Sequence, residues 1–454
     1  MFDLGFGDAG KGATVDYLVR ARGAELVARW NGGAQAGHTV VAPDGRRHTF
    51  AQLGAGSFVP GVGTHLGPDF VLHPGGLLVE AARLAARGVE DALARLSVDA
   101  RALVISPFQQ AAGRLRELLR GPARHGTCGV GVGEAVADAL ADQPDVLRAG
   151  DLADEGLLLA RLAAQQRRKR AELAAARELD DPRAAPELGL LLDPAAPARA
   201  LALWAGFPRE VLLSPQDGAA RLRACRRLVL EGAQGLLLDQ TWGFHPHTTW
   251  SDVTPRGAHA LLDEAGWEGM TRRLGVLRAY ATRHGEGPFP THDPALDAAL
   301  PEPDNPDTGW QGPFRRGALD LVLARYALEV AGGACGLALT CLDRIEPEVA
   351  LCEGYALGAR STGLELHADD GAGRTRLRPG PPAELEWRSA LGALLGAARP
   401  RLRRVAREEL PACVAEALGA PVWLTAWGPR AADRVPLPGP LEESRTGDEP
   451  RARR

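Results

Sequence analysis

The 454-residue sequence has almost no lysine, few aromatic residues and no long apolar run. It contains no apolar stretch close to the about 20 residues that span a bilayer, and its N-terminus lacks the apolar segment of a secretory signal. A formal net charge of −4 gives no reason to expect binding to nucleic acid or to a membrane surface. We therefore expect a cytoplasmic protein.

The six cysteines are scattered, and none forms the Cys-x-x-Cys pair that often holds a metal. In a chain of this length they are typical of reduced cytosolic thiols. Lys11 and Lys169 are the only lysines, and all other basic side chains apart from histidine are arginines. Lys11 lies in a glycine-rich turn, whereas Lys169 lies in a charged run that favours a solvated helix face.

Short β-rich runs alternate with Ala/Leu/Arg-rich helical stretches, which favours an α/β fold: a large, mainly parallel central sheet flanked by helices. The predicted strands are Glu25–Trp30, Phe70–Leu72, Ala102–Ile105, Leu228–Leu230, Gly336–Leu339 and Val422–Leu424. The predicted helices include Gly76–Arg87, Gln110–Arg120, Gly156–Leu179, Ala318–Val330 and Trp387–Ala398.

We expect residues 1–435 to form a single α/β domain. Within it, residues 180–197 carry four prolines and are predicted to be a linker or surface excursion. Residues 436–454 are rich in Pro, Glu and Arg with little to bury, which predicts a disordered tail. Because only four residues precede the first glycine, the first strand is expected to be very short, or the true start lies upstream.

A glycine-rich loop, Gly-Phe-Gly-Asp-Ala-Gly-Lys-Gly, occupies residues 5–12. It fits both G-x-G-x-x-G and the first seven places of a P-loop, and such loops bring backbone N–H groups onto a phosphate. A dinucleotide site also needs an acidic residue at the end of the second strand. Here that strand ends in Asn31-Gly32-Gly33 instead, so the dinucleotide interpretation, and with it a hydride-transfer enzyme, loses ground.

The P-loop pattern is also incomplete, because Gly12 stands where a Ser or Thr would ligate Mg²⁺. The metal then needs another oxygen, and Asp8 lies inside the loop. A carboxylate beside phosphates would repel them unless it holds a cation or handles a proton. Asp8 is therefore predicted to be a metal ligand, a base or both; the alternative is a glycine-rich turn with a helix-capping aspartate.

A second glycine-rich loop, residues 31–39, follows the next predicted strand and contains His38. In a parallel sheet, the loops after neighbouring strands gather at one edge, so His38 can approach Asp8. An isolated histidine is more often structural than catalytic. A histidine in a loop beside a phosphate loop is a stronger catalytic candidate.

Several ordered blocks resemble the adenylosuccinate synthetase family. The first two loops correspond to GDEGKG and GGxNAGHT, and later blocks correspond to GTTGRGIG, EGAQGxxLD, YxTRVGxGPFPT, LTKLD and TGP. In this sequence the blocks are residues 7–12, 32–39, 126–133, 231–239, 280–291, 339–343 and 427–429. They occur in family order and cover about residues 1–435.

The resemblance implies a magnesium-dependent, GTP-using ligase in which a purine-nucleotide oxygen is phosphorylated and then displaced by the amine of aspartate. Asp8 would remove the N1 proton of IMP and ligate Mg²⁺ together with the Gly37 carbonyl. His38 would stabilise developing charge, and Lys11 would neutralise phosphate charge. Asp343 would accept the guanine N–H groups, which selects GTP.

The remaining implied contacts fall into three sets. GTP-binding residues are Gly7, Gly10, Lys11, Gly12, Gly37, Thr39, Asp343, Gly428 and Pro429. Residues implied to bind the nucleotide substrate are Gln35, Thr127, Cys128, Gln234, Thr249 and His284. Residues implied to bind the amino acid are Thr308, Arg315 and Arg316. Taken singly, Gln234 or Thr249 fits an ordinary hydrogen-bonding residue at a strand end, and Asp343 fits a helix cap.

The sequence departs from the family most clearly in the aspartate-binding loop, TTGRxRR. Residues 307–317 keep Thr308 and Gly309, but Trp310 or Gln311 stands where a guanidinium is expected. On the nucleotide side, Cys128 replaces a threonine, His284 a valine and Cys341 a lysine. No arginine stands in residues 141–143, where a partner subunit's arginine would reach the nucleotide, and Arg148 corresponds to a different one.

Three functions therefore remain open. The leading one is synthesis of adenylosuccinate by a homodimeric enzyme of purine nucleotide biosynthesis. The second is a paralogous ligase that uses a different purine-like acceptor or amine in secondary metabolism. The third is a non-catalytic GTP-binding protein, against which the retention of both Asp8 and His38 argues.

Overall fold

The computed structural model describes residues 1–305, 309–357, 366–369, 374–381 and 384–441. The strands are β1 Phe2–Asp3, β2 Leu26–Arg29, β3 His38–Val41, β4 Arg47–Phe50, β5 Gly63–Leu66, β6 Val71–Leu72, β7 Leu96–Asp99, β8 Leu103–Val104, β9 Leu212–Leu213, β10 Leu228–Leu230, β11 Leu274–Arg278, β12 Ala281–His284, β13 Phe314–Gly317, β14 Leu319–Asp320, β15 Gly336–Thr340, β16 Glu348–Ala356, β17 His367–Asp369, β18 Thr375–Leu377, β19 Arg399–Ala406, β20 Val422–Ala426 and β21 Arg434–Pro436.

The α-helices are α1 Lys11–Arg22, α2 Pro74–Ala85, α3 Pro107–Arg120, α4 Val132–Leu140, α5 Glu155–Glu172, α6 Ala184–Leu192, α7 Ala196–Trp204, α8 Pro215–Ala224, α9 Arg256–Ala265, α10 Pro294–Ala299, α11 Leu321–Val330, α12 Leu385–Ala397 and α13 Leu410–Leu418. None of the helices in the described part of the chain combines the length and apolar character that a bilayer crossing would need.

The central layer consists of two five-stranded sheets. One has the order β10-β2-β5-β7-β9 with every pairing parallel, and the other has the order β1-β11-β15-β20-β21, parallel except for β21. Met1 joins their edges, because its amino group donates to the Leu230 carbonyl at 2.9 Å and its carbonyl accepts from Gly232 N–H. The predicted α/β fold with a mainly parallel central sheet is confirmed.

The parallel strands are apolar along most of their length because helices cover both faces of such sheets. Every residue of β2, β15 and β20 is buried. One large apolar cluster includes Val27, Phe50 and Phe108, and a second includes Phe2 and Tyr326. These cores fix the strands, so the loops at the carboxyl ends of β1, β2, β10, β11, β15 and β20 meet at one edge.

The predicted strands are found with ends shifted by one or two residues. Among the helices, two predictions were too long. Residue Asp320 belongs to strand β14, and its carboxylate accepts hydrogen bonds from the N–H groups of Val322 and Leu323, so α11 starts only at Leu321. The long helix predicted to reach Leu179 stops at Glu172 and continues as a 3₁₀ turn.

Residues 180–197 were predicted to be a linker or a surface excursion. The linker is wrong, because this stretch forms α6 and the start of α7, and the surface excursion remains a prediction. Ala184, Leu191 and Ala196 are buried in the first apolar cluster. Pro186 lies in the first turn of α6, where its missing N–H has no intrahelical partner to lose. The single-domain organisation of residues 1–435 remains a prediction.

Two further expectations are corrected. Lys169 is buried, not on a solvated face, and its ammonium group contacts the carboxylates of Glu134 and Asp138, both at 2.8 Å. The predicted tail begins too early, because Leu437 N–H donates to the Trp423 carbonyl and the Pro440 carbonyl accepts from Arg22. The rest of that predicted tail, residues 442–454, lies outside the described residues.

Candidate functional site

A cavity of about 700 Å³ opens at the edge where the loops after the parallel strands meet. It is lined by all the residues that the sequence predicted for the two nucleotides and the metal. These are Gly7, Asp8, Gly10, Lys11, Gly12, Gln35, Gly37, His38, Thr39, Thr127, Cys128, Gln234, Thr249, His284, Asp343, Gly428 and Pro429. The structure thus brings together loops that are up to about 400 residues apart in the chain. They meet because the carboxyl ends of parallel strands lie at the same edge of a sheet.

The glycine-rich loop of residues 5–12 is held in place by Asp3, a fully buried residue that no sequence motif indicated. Its carboxylate accepts hydrogen bonds from Gly5 N–H at 2.8 Å and Ala9 N–H at 3.1 Å, and it pairs with Lys11 Nζ at 2.8 Å. Helix α1 begins at Lys11 directly after the loop, so its N-terminal N–H groups face the cavity edge. The loop is preorganised for an anion.

The missing Ser or Thr at position 12 has a steric explanation. A Cβ atom on Gly12 would lie 2.7 Å from the His38 carbonyl carbon and 2.8 Å from its Cβ. Any side chain there would therefore force apart the two loops that the sequence predicted to meet. The close approach of Gly12 to His38 places the imidazole beside the first turn of α1 and excludes a hydroxyl ligand at this position.

Asp8 lies in this loop with a backbone φ of +59°, a left-handed conformation that costs energy for a residue with a side chain. Its carboxylate has no hydrogen bond or ion pair to any residue in the described ranges. Burial raises the pKa of Asp8, an effect opposed by Lys11 and Arg278 and reinforced by Asp3. A free carboxylate with a raised pKa suits a general base or a cation ligand.

His38 is buried and is oriented by Glu231, which heads the EGAQG block but was not assigned a role from the sequence. The His38 Nδ1 and Glu231 Oε1 atoms lie 2.5 Å apart, and Glu231 Oε2 accepts from Ala55 N–H at 3.0 Å. Burial lowers the pKa of His38 to about 4 despite the attraction of Glu231. Burial also disfavours ionised Glu231, but His38, Arg29 and the Ala55 N–H hold its pKa below the usual range.

The pair is therefore a neutral imidazole held by an ionised carboxylate at neutral pH. Nδ1 carries the proton shared with Glu231, which leaves Nε2 as the nitrogen available to a ligand. The second-loop histidine predicted from the sequence is thus fixed in one tautomer. Such a carboxylate–imidazole pair can stabilise positive charge on the ring when a neighbouring group becomes more negative.

Two cavity-lining glutamines, Gln35 and Gln234, have buried side-chain nitrogen and oxygen atoms without hydrogen-bond partners in the described part of the protein. Gln234 also has a left-handed backbone, with φ of +58°. Buried polar groups are rarely left unpaired, and the exceptions concentrate at ligand sites. Both amides were predicted to contact the nucleotide substrate. A planar polar ligand bound in the cavity would supply the hydrogen bonds that these amides lack.

The predicted phosphate-contacting segment is anchored by Glu117 of α3. Glu117 Oε2 accepts from the N–H groups of Gly126 at 3.0 Å and His125 at 3.1 Å, which shapes the loop containing Thr127 and Cys128. Burial raises the pKa of the Cys128 thiol, so it is protonated and unreactive at neutral pH. Position 128 therefore contributes a small neutral side chain to the cavity wall.

Two buried arginines on the cavity wall were not selected from the sequence. Arg278 ends β11, packs over the Tyr280 ring and pairs with Glu302. Arg283 donates to the carbonyls of Glu286 at 2.9 Å and Pro288 at 2.8 Å and lies 4.1 Å from the centre of the Phe6 ring. Both line the cavity, and the charge of Arg278 opposes the rise in the pKa of Asp8.

Arg315 and Arg316, two of the three predicted amino-acid contacts, do not line the cavity. Arg315 donates to the carbonyls of Gly285 and Gly287, and Arg316 donates to the Phe314 carbonyl at 2.6 Å; neither lines the cavity. The backbone of β13 pairs with β12, which directs these guanidiniums to neighbouring carbonyls. Thr308 lies outside the described residues.

Trp310 anchors the same loop. The ring centre lies 5.6 Å from the Arg114 guanidinium and 5.3 Å from that of Arg183. A Cβ atom on Gly129 would lie 2.8 Å from the Trp310 ring, so the segment at 129 and the loop at 310 are in direct contact. Gln311, the next residue, lines the cavity. Of the two residues that stand where a guanidinium was expected, Trp310 is thus a packing anchor and Gln311 lines the cavity.

The residues around Asp8 fit a magnesium ion that is held mainly by phosphates. Mg²⁺ takes oxygen ligands and commonly uses one or two protein groups plus phosphate and water. The unpartnered Asp8 carboxylate and the Gly37 segment both line the cavity beside Lys11. In the described ranges no group of three or more His, Cys, Asp or Glu side chains is arranged to hold a metal by itself.

Comparison with known proteins gives a consistent result. The family model for adenylosuccinate synthetase matches residues 2–372. The chain is 36% identical to adenylosuccinate synthetase 1 of Chromobacterium violaceum over 96% of each chain. It is 33% identical to the adenylosuccinate synthetase of Rhodococcus erythropolis over 80% of this chain and 82% of that protein.

Two solved structures share the fold. The fully ligated adenylosuccinate synthetase of Plasmodium falciparum has a TM-score of 0.73 at 20% identity, with 96% of this chain and 98% of that chain covered. The succinoaminodeoxyadenylate synthetase of cyanophage S-2L, bound to dGMP and dATP as an energy donor, has a TM-score of 0.59 at 20% identity, with 96% and 94% covered. At 20% identity, the two structures show only that the fold is shared.

Proposed function

The chain belongs to the adenylosuccinate synthetase family, and from this premise we propose that it is a ligase that joins L-aspartate to IMP. The reaction consumes GTP and gives adenylosuccinate, GDP and phosphate through a 6-phosphoryl-IMP intermediate. The proposal rests on the arrangement of three side chains on the cavity wall. Asp8, which has no partner among the described residues, and Lys11, which pairs with Asp3, lie in the glycine-rich loop, and His38, held by Glu231, lies beside that loop.

The chemistry requires the purine O6 to become a nucleophile and then a leaving group. Asp8 is assigned as the base that takes the N1 proton, because its raised pKa favours proton uptake. Negative charge then develops on O6, which attacks the γ-phosphorus of GTP. His38 is assigned to stabilise this charge by taking up a proton at Nε2 and donating it in a hydrogen bond to O6, while Nδ1–H stays bonded to Glu231. The aspartate amine finally displaces phosphate from C6.

Binding roles follow from the cavity wall. The N–H groups at the start of α1 and the Lys11 ammonium are assigned to the GTP phosphates. The unpaired amides of Gln35 and Gln234 are assigned to the IMP base and its surroundings, and Thr249 to the nucleotide phosphate. Asp343 is assigned to the guanine N–H groups.

Mg²⁺ is proposed as the cofactor, with Asp8 and the Gly37 carbonyl as its protein ligands. When bound, it neutralises phosphate charge and orients the γ-phosphate for in-line attack. The support lies in the hard oxygen donors beside the loop and in Gly12, whose contact with His38 leaves no space for a hydroxyl ligand.

The proposal is tested by incubating the protein with GTP, Mg²⁺, IMP and L-aspartate and detecting adenylosuccinate by mass spectrometry. Product should form in proportion to released phosphate, and omission of any one component should abolish it. ATP in place of GTP serves as the control for donor selection. No product at saturating substrate would reject this function.

A second candidate is a related ligase that keeps O6 phosphorylation but takes a different purine-like acceptor or amine. The observation in its favour is the position of Arg315 and Arg316, which bond to backbone carbonyls outside the cavity. The same fold occurs in the cyanophage succinoaminodeoxyadenylate synthetase, whose structure holds dGMP. Screening dGMP, GMP and a set of amines for GTP-dependent phosphate release separates the two candidates.

A protein that binds GTP without catalysis is the third candidate. It predicts that Asp8→Asn and His38→Ala variants match the wild type in every turnover assay. We further propose a cytoplasmic homodimer, as is usual in this family. Sedimentation analysis of the purified protein with and without nucleotides tests the oligomeric state.

A further inference from the structure

Arg434 is a buried cation on the cavity wall that no sequence motif pointed to. It starts β21, the antiparallel strand beside β20, and only 6% of its surface is exposed. Its Nη1 donates to the carbonyls of Arg430 at 2.6 Å and Gly428 at 3.4 Å. These bonds use one face of the guanidinium and hold the loop 428–433.

The rest of the guanidinium lacks a partner. Nε is buried without a hydrogen bond, and Nη2 makes none to the described residues. Burial lowers the pKa of Arg434, and the nearby Cys341, Asp16, Asp433 and Asp343 oppose this shift. The side chain is therefore a charged donor with unused N–H groups, within electrostatic range of the exposed acceptor Asp343.

We propose that Arg434 recognises the base of the nucleoside triphosphate donor by donating a hydrogen bond to the O6 atom of guanine. This assignment rests on the proposed function. Asp343 accepts from the N1 and N2 hydrogens, and Arg434 supplies the complementary donor at O6. Arg434 and Asp343 both line the cavity with Gly428 and Pro429, so the two side chains can approach one base edge.

The pair explains donor choice better than the carboxylate alone. Adenine carries an amino group at C6, so its N–H groups would face the Arg434 N–H groups, and its N1 would face Asp343 as an acceptor. Guanine reverses both polarities and pairs with both residues. Arginine is well suited to O6 because its planar guanidinium offers several N–H donors in fixed geometry.

The same arginine also fastens the 428–433 loop, and the test must separate that role from base recognition. We compare equilibrium binding of GTP, 6-thio-GTP and ITP, each with Mg²⁺, by calorimetry. The sulfur of 6-thio-GTP is a poor acceptor at position 6, whereas ITP keeps O6 and lacks the 2-amino group. Variants are Arg434→Met, Arg434→Lys and the matched control Arg430→Met, an exposed arginine of the same loop.

In the wild type we expect GTP to bind about tenfold or more tightly than 6-thio-GTP, because a charged donor loses its acceptor. In Arg434→Met this preference should fall towards unity, while the preference for GTP over ITP persists because it depends on Asp343. Arg434→Lys should restore part of the O6 preference. Arg430→Met should retain both wild-type preferences.

If Arg434→Met weakens all three triphosphates by one common factor, the arginine only holds the loop and the inference is overturned. Unchanged binding in Arg434→Met overturns it as well. If the wild type binds none of these triphosphates, the proposed function itself fails, so the two failures are distinguishable. Circular dichroism of each variant confirms that the compared proteins are folded.

Discussion

The wall of the cavity around Asp8 and His38 differs from the wall formed by the loop around residue 310. In the first, buried carboxylates hold the functional groups: Asp3 binds the phosphate-type loop and Lys11, and Glu231 binds His38. In the second, two arginines donate to neighbouring carbonyls and Trp310 provides packing. In one wall buried carboxylates hold the side chains and the loop at the cavity, and in the other the arginines bond to neighbouring backbone carbonyls.

On the proposed function, this difference separates the wall assigned to phosphoryl transfer from the wall assigned to the amine. Transfer of a phosphoryl group depends on groups held in place before the reaction, because reorganisation during the reaction costs energy. Recognition of an amine tolerates more variation, because it can be rebuilt from other side chains. Substitutions on each wall test whether the two walls differ in this way.

The largest effect is expected from Asp8→Asn. The amide keeps the shape but removes the base and a metal ligand, so kcat should fall by about a thousandfold. Steady-state phosphate release measures the change. Asp142→Asn is the matched control, since Asp142 also has a left-handed backbone but is exposed and outside the cavity. Equal activity of Asp8→Asn and wild type would remove the catalytic assignment.

Glu231→Gln should lower kcat by about a hundredfold, because the neutral amide no longer stabilises a charged His38 ring. The KM for GTP should change less. Glu80→Gln provides the control: Glu80 is also buried and accepts backbone N–H groups from Ala51 and Gln52, but its role is structural. A similar loss of kcat in both variants would show that Glu231 acts only through stability.

The pH dependence of the free energy of unfolding tests whether His38 is neutral in the folded protein. Its folded pKa of about 4 lies below the ordinary value of 6.5, so the unfolded chain binds more protons between these pH values. His38 therefore destabilises the fold as pH falls through this window, by about 2 kcal/mol between pH 7.5 and 5. Urea unfolding should show that His38→Asn loses correspondingly less stability over this interval than the wild type.

His65 is the matched comparison, since it is buried, bonded to Ser97, and its pKa is likewise lowered to about 4 by burial. His65→Asn should flatten the pH dependence by a similar amount without affecting kcat. If the wild type instead loses less stability than His38→Asn as the pH falls, the imidazole is charged in the folded protein. That result would reverse its assigned role.

Trp310→Ala tests the contact between the two loops. Loss of the ring frees the segment at Gly129 and the guanidiniums of Arg114 and Arg183, so KM for both the nucleotide and the amine should rise about tenfold. Trp267→Ala, outside the cavity, is the control. An effect on the amine alone would indicate that Trp310 contacts that substrate directly.

The smallest effect is expected from Arg315→Met and Arg316→Met. Because these guanidiniums bond to carbonyls outside the cavity, KM for aspartate should change by less than about threefold. Substrate titration of each variant measures this. A rise of thirtyfold or more in the KM for aspartate, with kcat maintained, would show that the arginines move into the cavity when substrate binds. The two walls would then differ less than the structure indicates.

Much of the site could be predicted from local patterns. The glycines of residues 5–12 and the histidine of residues 31–39 predicted two loops at one sheet edge, and both line the cavity. Asp3 and Glu231 were missed because each acts through a partner, Lys11 for Asp3 and His38 for Glu231. Glu231 lies 193 residues from His38, and its place at the head of the EGAQG block, directly after β10, was the signal that could have found it.

The sequence by itself determined the order of strands and loops, the phosphate-binding glycines and the identity of the chemical groups, because these depend on local backbone freedom and residue type. The tertiary structure decided which charges are held and which are free. Burial and distant partners set the pKa of Asp8, the tautomer of His38 and the direction of Arg315 and Arg316. Desolvation and hydrogen bonding arise only once the sheet brings distant segments together.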